Sequence, residues 1–102
     1  MLITGIQAAG KSTVAQLLAE RLPKSVHVRG DLFRRMVVNG RVDVTPPPSE
    51  EAMRQLRLRY RLMASTCDAY AQAGFDVVAQ DVIIGDVLSE VVDMFATPPH
   101  VI

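Results

Sequence analysis

Cysteine is almost absent from the sequence, and this scarcity bears on the class of fold. Of the 102 residues only Cys67 is a cysteine, so no intramolecular disulfide can form. Small secreted domains commonly depend on disulfides because their cores are too small to hold them together. We therefore do not expect a disulfide-built secreted fold. Cys67 lies in a helical pattern with no base beside it, which favours a core residue over a nucleophile.

The sequence also has no excess of charge of either sign. Eleven basic and eleven acidic residues cancel, and the formal net charge is +0 at pH 7. Proteins that attract nucleic acids or anionic membranes through their overall field carry a basic excess. We therefore expect no nucleic-acid partner and no membrane partner.

Long hydrophobic runs are missing as well. No apolar stretch reaches the roughly 20 residues of a membrane span, and the N-terminus lacks a basic segment followed by a signal-type core. These absences predict a cytoplasmic protein. Neither His27 nor His100 has the spacing of a metal ligand, so we predict no metal site built by histidine.

The residues that are present are those of an ordinary globular domain. Hydrophobic residues make up 49% of the chain and charged residues 22%, and the length allows one small domain. The last stretch, "ATPPHVI", ends in Val101 and Ile102, which resemble the first residues of another buried strand. We expect residues 1–102 to be the N-terminal part of a single domain whose sheet is incomplete at the C-terminus. The composition leaves the oligomeric state open.

The stretch "LITGIQAAGKSTVAQLLAE" carries the strongest motif. Its Gly5–Ser12 segment fits the phosphate-binding loop pattern G-x-x-x-x-G-K-[ST]. Glycines allow the tight curl that points successive backbone N–H groups at one anion. Lys11 would bind the β- and γ-phosphates, and the Ser12 hydroxyl would coordinate Mg²⁺. The predicted cofactor-binding residues are Gly5, Ile6, Gln7, Ala8, Ala9, Gly10, Lys11, Ser12 and Thr13.

The surroundings of the motif match the strand–loop–helix context that such a loop requires. Met1–Thr4 reads as a strand, and a helix over about Lys11–Arg21 ends before Pro23. We expect its buried stripe to contain Val14, Leu17, Leu18, Ala19 and Leu22. The alternative is an ordinary structural turn that matches the pattern by chance.

Strands and helices alternate along the rest of the chain, which predicts an α/β fold with a parallel sheet between helices. The first predicted elements are a strand at Ser25–Arg29 and a helix that has Asp31 as its N-cap, ends before Gly40 and buries Leu32, Met36 and Phe33. A stiff loop at 43–48 leads to a long helix at Glu50–Ala73, which is capped by Ser49 and ended by Gly74. A strand at Phe75–Gln80 follows, and the last element is a helix at Asp86–Phe95 with Val87, Leu88, Val91, Val92 and Phe95 facing inward.

Two aspartates follow predicted parallel strands. Asp31 comes after the second strand and Asp81 after the third, and ligands of such sheets bind beyond the carboxyl ends of the strands. Together with the phosphate loop they suit phosphoryl transfer, with one carboxylate near the metal and one near the attacking hydroxyl. The alternatives are a plain helix N-cap for Asp31 and a turn residue for Asp81.

Several arginines are further candidates. Arg34 and Arg35 lie about one helical turn beyond Asp31, where either could hold an anionic or polar substrate or could simply face solvent. The long helix carries Arg59 and a stripe of three others, a run more typical of a solvated surface than of substrate recognition. That stripe is Arg54, Arg57 and Arg61.

Three segments together resemble the small P-loop kinases that phosphorylate a hydroxyl group of a small molecule. They are "ITGIQAAGKSTVAQLLAERLP", "HVRGDLFRRMV" and "DVVAQDVIIG". The likeness is greatest to chloramphenicol phosphotransferase-like proteins, within the wider group of gluconate, shikimate and adenylylsulfate kinases. The resemblance implies a three-layer, adenylate-kinase-like P-loop NTPase fold. It also implies that Asp31 is the general base and that Asp81 is the acidic residue of the Mg²⁺ site with Ser12.

The activity implied by the resemblance is in-line transfer of the γ-phosphate of ATP, with Mg²⁺, to a small-molecule hydroxyl. Lys11 and the loop would hold the phosphates, and Asp31 would orient and deprotonate the acceptor. Two alternatives stay open: an ATPase or GTPase module, and a nucleotide-binding fragment without turnover. The sequence does not identify the acceptor.

Overall fold

The computed structural model describes residues 1–4, 11–83 and 85–101, and the side chains of Lys11 and Ser12 lie outside that description. The phosphate-loop residues Gly5–Gly10 therefore lie outside the described residues. The elements in chain order are β1 (Leu2–Ile3), α1 (Lys11–Glu20), β2 (Ser25–Arg29), α2 (Asp31–Arg35), α3 (Glu50–Gln72), β3 (Asp76–Gln80), a 3₁₀ turn (Gly85–Val87) and α4 (Leu88–Asp93).

The three strands form one parallel sheet in the order β1-β3-β2. β2 pairs with β3 along its whole length, from Ser25 opposite Asp76 to Arg29 opposite Gln80. Val101 makes a parallel bridge to Leu2 on the free side of β1, where a further strand was predicted to begin. The predicted α/β fold with a parallel sheet is confirmed.

Apolar side chains pack on both faces of the sheet, which gives the molecule its layers. One face, with α3 and α4, carries the larger core of buried residues: Leu2, Val28, Leu56, Tyr60, Met63, Ala64, Cys67, Ala79, Ile83, Val87, Val91 and Phe95. The other face, with α1, carries Ile3, Ala15, Ala19 and Val78. Burial raises the pKa of the Cys67 thiol to about 12, which agrees with its predicted place in the core.

The buried face of α1 differs from the prediction. Ala15 and Ala19 lie against the sheet, with Leu18 and Leu22 beside them, whereas Val14 and Leu17 are more than half exposed. The expectation of a stripe through Val14 and Leu17 was wrong. Small alanines one turn apart let the helix backbone approach the sheet closely, and that approach turns the larger side chains outward.

The prediction for α2 was wrong in its length, its cap and its buried side. The helix ends at Arg35, and Gly30 is its N-cap residue, with no side-chain capping bond. Leu32 and Met36 are exposed, and only Phe33 packs against the larger core. A helix of five residues makes too few turns to bury a whole stripe, and the Asp31 carboxylate binds neighbouring arginines instead of capping.

The ends of α3 agree with the prediction. Ala52 donates its backbone N–H to the Ser49 hydroxyl at 3.0 Å, and Gly74 follows the helix with a φ of 93°. Glycine suits that left-handed conformation because it has no Cβ. The fourth helix was predicted to be longer: a 3₁₀ turn replaces its start, and α4 ends at Asp93, although Val87, Val91 and Phe95 are buried as expected.

Replacing Ser49 by alanine should lower the free energy of unfolding by about 1 kcal/mol, because an N–H in the first turn of α3 loses its capping oxygen. Chemical denaturation measures the change. Ser65→Ala, at an exposed position inside the same helix, is the matched control and should be nearly neutral. Equal effects of the two substitutions would contradict the capping role.

Candidate functional site

The ends of all three strands meet at one edge of the sheet. Gly30 donates its N–H to the carbonyl of Gln80 at 2.9 Å, which joins the ends of β2 and β3. Asp81 donates its N–H to the carbonyl of Ile3 at 3.2 Å, so β1, which leads into the phosphate-loop motif, ends at the same place. Asp31 and Asp81 therefore follow neighbouring strands at one edge, as predicted.

Asp81 forms a buried ion pair with Arg59 of α3. The Asp81 side chain is 1% exposed and that of Arg59 is 13% exposed. Arg59 donates from Nε to Oδ2 at 3.2 Å and from Nη2 to Oδ1. The backbone N–H of Val82 adds a third bond to Oδ1 at 2.8 Å. Asp81 therefore forms a buried ion pair and is not merely a turn residue, which was the alternative that its sequence position allowed.

The two partners have pKa values shifted in the same direction, for different reasons. Burial raises the pKa of the Asp81 carboxyl, and Arg59 acts against that rise. Burial also disfavours the charge on Arg59, but the hydrogen bond and the charge of Asp81 outweigh it, so the pKa of Arg59 is raised. We take the pair as ionised, because the carboxylate accepts three hydrogen bonds.

Gly30 is required at this edge by lack of space rather than by its backbone conformation. Its φ and ψ are −61° and −32°, which any residue can adopt. A Cβ added there would collide with Oδ2 of the Asp81 carboxylate. The absence of a side chain at Gly30 thus lets the chain leaving β2 pass directly over Asp81 and enter α2.

Asp31 forms ion pairs with the two arginines that were predicted to bind substrate. Arg34 donates from Nε to Oδ1 at 2.8 Å, and Arg35 lies with its Nε 2.7 Å from Oδ2. Arg34 also donates a hydrogen bond from Nη1 to Oδ1 of Asp43 at 3.1 Å. The bond from Arg34 is the main cause that lowers the pKa of Asp31, so this carboxylate is ionised at neutral pH. Both arginines thus hold Asp31.

A cavity of about 430 Å³ opens between α2, the segment that follows it and α3. Arg34 and Arg59 line it, so it is continuous with the partners of both aspartates. Its apolar lining residues are Phe33, Val37, Val42, Val44, Ala52, Leu56, Leu58, Leu62 and Val82. Its volume lies within the range of small-molecule sites.

Arg59 is the residue that sequence reasoning missed. It was grouped with the arginines of a solvated helix face, and that description holds for Arg54, Arg57 and Arg61, which are exposed. Position 59 lies between Leu56 and Met63 at helical spacing, so it borders the buried stripe of α3. This spacing could have identified Arg59 from the sequence, but only if it were known which face of α3 packs against the sheet.

The described residues do not by themselves form a metal centre. Among residues 1–4, 11–83 and 85–101, no group of three His, Cys, Asp or Glu side chains could hold a metal ion. His27 instead contacts the side-chain carbonyl oxygens of Gln16 and Gln80, each at 2.9 Å. The assignment of Ser12 and Asp81 to a magnesium site therefore stays a prediction.

Within the part of the chain that the structure describes, no helix has the length and apolarity needed to cross a membrane. Of the helices so described, α3 is the longest at 23 residues, and it carries charged side chains throughout its first half.

Comparison with known proteins identifies the family. The profile of the family described as "AAA domain", a P-loop nucleotide-binding fold, matches residues 1–89. A UPF0200 protein of Aeropyrum pernix is 40% identical over 55 residues, which cover 54% of this chain and 29% of that protein. The matched segment is thus under a third of the relative's length.

The space at Gly30 can be tested by Gly30→Ala. The added methyl group must displace the Asp81 carboxylate, which three donors hold in place, so the free energy of unfolding should fall by about 1–3 kcal/mol. Gly40→Ala is the control: nothing lies within 4 Å of its added Cβ, and only its φ of 88° opposes the change. A Gly30→Ala protein as stable as the parent would contradict the close approach to Asp81.

Proposed function

The chain belongs to the AAA domain family, and from this premise we propose that it is a kinase that transfers the γ-phosphate of ATP to a hydroxyl group of a small molecule. The observation that carries the proposal is the meeting of Asp31, Asp81 and the end of β1 at one sheet edge beside a cavity. A hydrolase needs room only for water, whereas this edge adjoins space for an acceptor.

The nucleotide end of the site is proposed from the motif. Backbone N–H groups of Gly5–Ser12, with the start of α1, would surround the phosphates, and Lys11 would supply a positive charge to them. Gly5, Ile6, Gln7, Ala8, Ala9, Gly10 and Thr13 complete this proposed set. β1 and α1 flank the motif, as such a loop requires.

Magnesium would be held by Ser12 with Asp81. A carboxylate is the donor type that Mg²⁺ prefers, and this ion commonly keeps several of its waters. Both Asp81 oxygens already accept hydrogen bonds, from Arg59 and from the Val82 N–H. Asp81 therefore suits contact with the ion through water better than direct ligation. The ion would neutralise charge on the phosphates as the γ-phosphoryl group moves.

Asp31 is the proposed general base. Its lowered pKa keeps the carboxylate ionised, so it can accept the hydrogen bond of the acceptor hydroxyl and orient the oxygen toward the γ-phosphate. A weak base of this kind takes the proton of the hydroxyl as the new O–P bond forms and the bond between the γ-phosphorus and the bridging oxygen breaks to release ADP. Arg34 and Arg35, first expected to bind substrate, would act through Asp31 by fixing its carboxylate.

An ATPase and a nucleotide-binding protein without turnover are the competing functions. An assay of ADP release separates them: a kinase releases ADP only, or much faster, when a hydroxyl acceptor is present and yields a phosphorylated product. Release that ignores every acceptor indicates an ATPase. ATP binding without release indicates the third function.

Lys11→Ala tests the nucleotide site. Loss of the charged contact should weaken binding of ATP with Mg²⁺ by about tenfold or more while the fold persists. Titration calorimetry beside thermal melting measures both. Lys24→Ala removes a lysine that lies over the Phe75 ring and is not part of the motif in the sequence, and it should leave ATP affinity unchanged. Unchanged affinity in Lys11→Ala would contradict the phosphate-loop assignment.

Asp31→Asn tests the general base. The amide keeps the size of the side chain but cannot take a proton, so kcat should fall roughly 10²-fold or more with little change in the KM for ATP. The exposed Asp93→Asn is the control and should keep full turnover. If Asp31→Asn turns over normally and only its stability changes, Asp31 has a structural role alone.

A further inference from the structure

The cavity beside α2 also indicates which acceptor it can take. We propose that it binds an uncharged hydroxyl compound with an aromatic or aliphatic body, and that it discriminates against acceptors carrying a carboxylate or phosphate. This inference rests on the proposed kinase function, because a bound hydroxyl compound is an acceptor only if the protein is a kinase. The binding preference itself can be measured without ATP.

The walls of the cavity are suited to an apolar body. Side chains of Phe33, Val42, Leu56 and Leu58, among others, face it, and its volume of about 430 Å³ holds a small organic molecule. Leu58 is 48% exposed and Val42 is 38% exposed, so covering them with a ligand removes apolar surface from water.

The guanidinium groups that line the cavity are already paired. Arg34 binds Asp31 and Asp43, Arg59 binds Asp81, and Arg41 lies 3.8 Å from Asp43. Of the described residues that line the cavity, these arginines are the cationic ones. An anionic ligand could gain a charged partner only by taking an arginine from its carboxylate, which would leave that carboxylate without its ion pair.

The neutral polar side chains of the wall, Gln55 and Tyr60, are engaged as well, and the Tyr60 hydroxyl donates to the carbonyl of Val82 at 2.8 Å. Gln55 accepts a bond from the N–H of Val42 and donates to the carbonyl of Gly40, each at 2.8 Å. These bonds, with that of Arg34 to Asp43, fasten the segment after α2 to the helices on either side. The wall is thus formed before a ligand arrives, which favours a ligand that fits it without rearranging polar groups.

The same pairs place the polar end of the ligand. Arg34 lines the cavity and donates to Asp31, so the proposed base lies beside the wall that Arg34 forms, although Asp31 is not itself a lining residue. A ligand with one hydroxyl and an apolar body would direct the hydroxyl toward Asp31 and leave its body among Val42, Leu56 and Leu58. This arrangement satisfies the hydroxyl and leaves every ion pair intact.

The test compares a charged ligand with a neutral one of the same ring and hydroxymethyl group: para-(hydroxymethyl)benzoate and its methyl ester, which differ in charge and by one methyl group. Ligand-observed NMR titrations without nucleotide measure both affinities. The neutral ester should bind the protein about tenfold or more tightly than the carboxylate. Equal or tighter binding of the carboxylate, or no binding of the ester, would overturn the proposal.

Two substitutions and one control, Leu17→Asp, test where the ligand binds. Leu58→Asp puts a charge into the wall at a half-exposed position and should weaken binding of the ester about tenfold, whereas Leu17→Asp, equally exposed on α1, should leave it unchanged. Asp43→Asn removes the carboxylate shared by Arg34 and Arg41 and should raise the affinity for the benzoate. Equal effects of Leu58→Asp and Leu17→Asp, or no gain for the benzoate in Asp43→Asn, would contradict the assignment.

Adding ATP and Mg²⁺ separates this inference from the function on which it rests. Phosphorylation of the ester supports both. If the ester binds and responds to Leu58→Asp, but neither the ester nor any other hydroxyl acceptor is phosphorylated, the kinase proposal fails and the preference of the cavity for neutral ligands stands.

Discussion

The ion pair between Asp81 and Arg59 is the interaction on which the arrangement of the site depends. Asp81 stands at the end of the central strand β3, and Arg59 reaches it from α3. Both side chains are largely buried, so removal of either partner would leave an unpaired charge, at a cost of roughly 3–5 kcal/mol. The pair thus sets where α3 lies relative to the strand ends.

The position of α3 determines the rest of the site in turn. Gly30 lies directly over the Asp81 carboxylate, so the chain leaving β2 turns into α2 at that point and presents Asp31 beside its arginines. Gln55, one turn before Arg59 on α3, fastens the segment after α2 through Val42 and Gly40. One buried pair and one glycine therefore link the proposed base, the proposed metal-side carboxylate and the wall of the cavity.

Charge pairing within the site also relates the two proposals. Asp31 pairs with Arg34 and Arg35 and Asp81 pairs with Arg59, and two of these arginines, Arg34 and Arg59, line the cavity. This arrangement keeps Asp31 ionised for its role toward a hydroxyl, and it occupies the cations that would otherwise attract an anionic acceptor. A base that is held by arginines and a preference for neutral ligands thus follow from one set of contacts.

The sequence by itself determined the order of strands and helices, the parallel sheet and the edge at which Asp31 and Asp81 lie. These features depend on local patterns: the alternation in β2, the apolar run of β3, the Ser49 cap, and Gly74, which ends α3. Only the tertiary structure decided that α1 packs by Ala15 and Ala19, that Asp31 binds Arg34 and Arg35 rather than capping a helix, and that Arg59 is a site residue. The physical reason is that charge partners and buried faces depend on contacts between segments far apart in the chain. Arg59 and Asp81 are 22 residues apart, and no periodicity within either segment specifies the other.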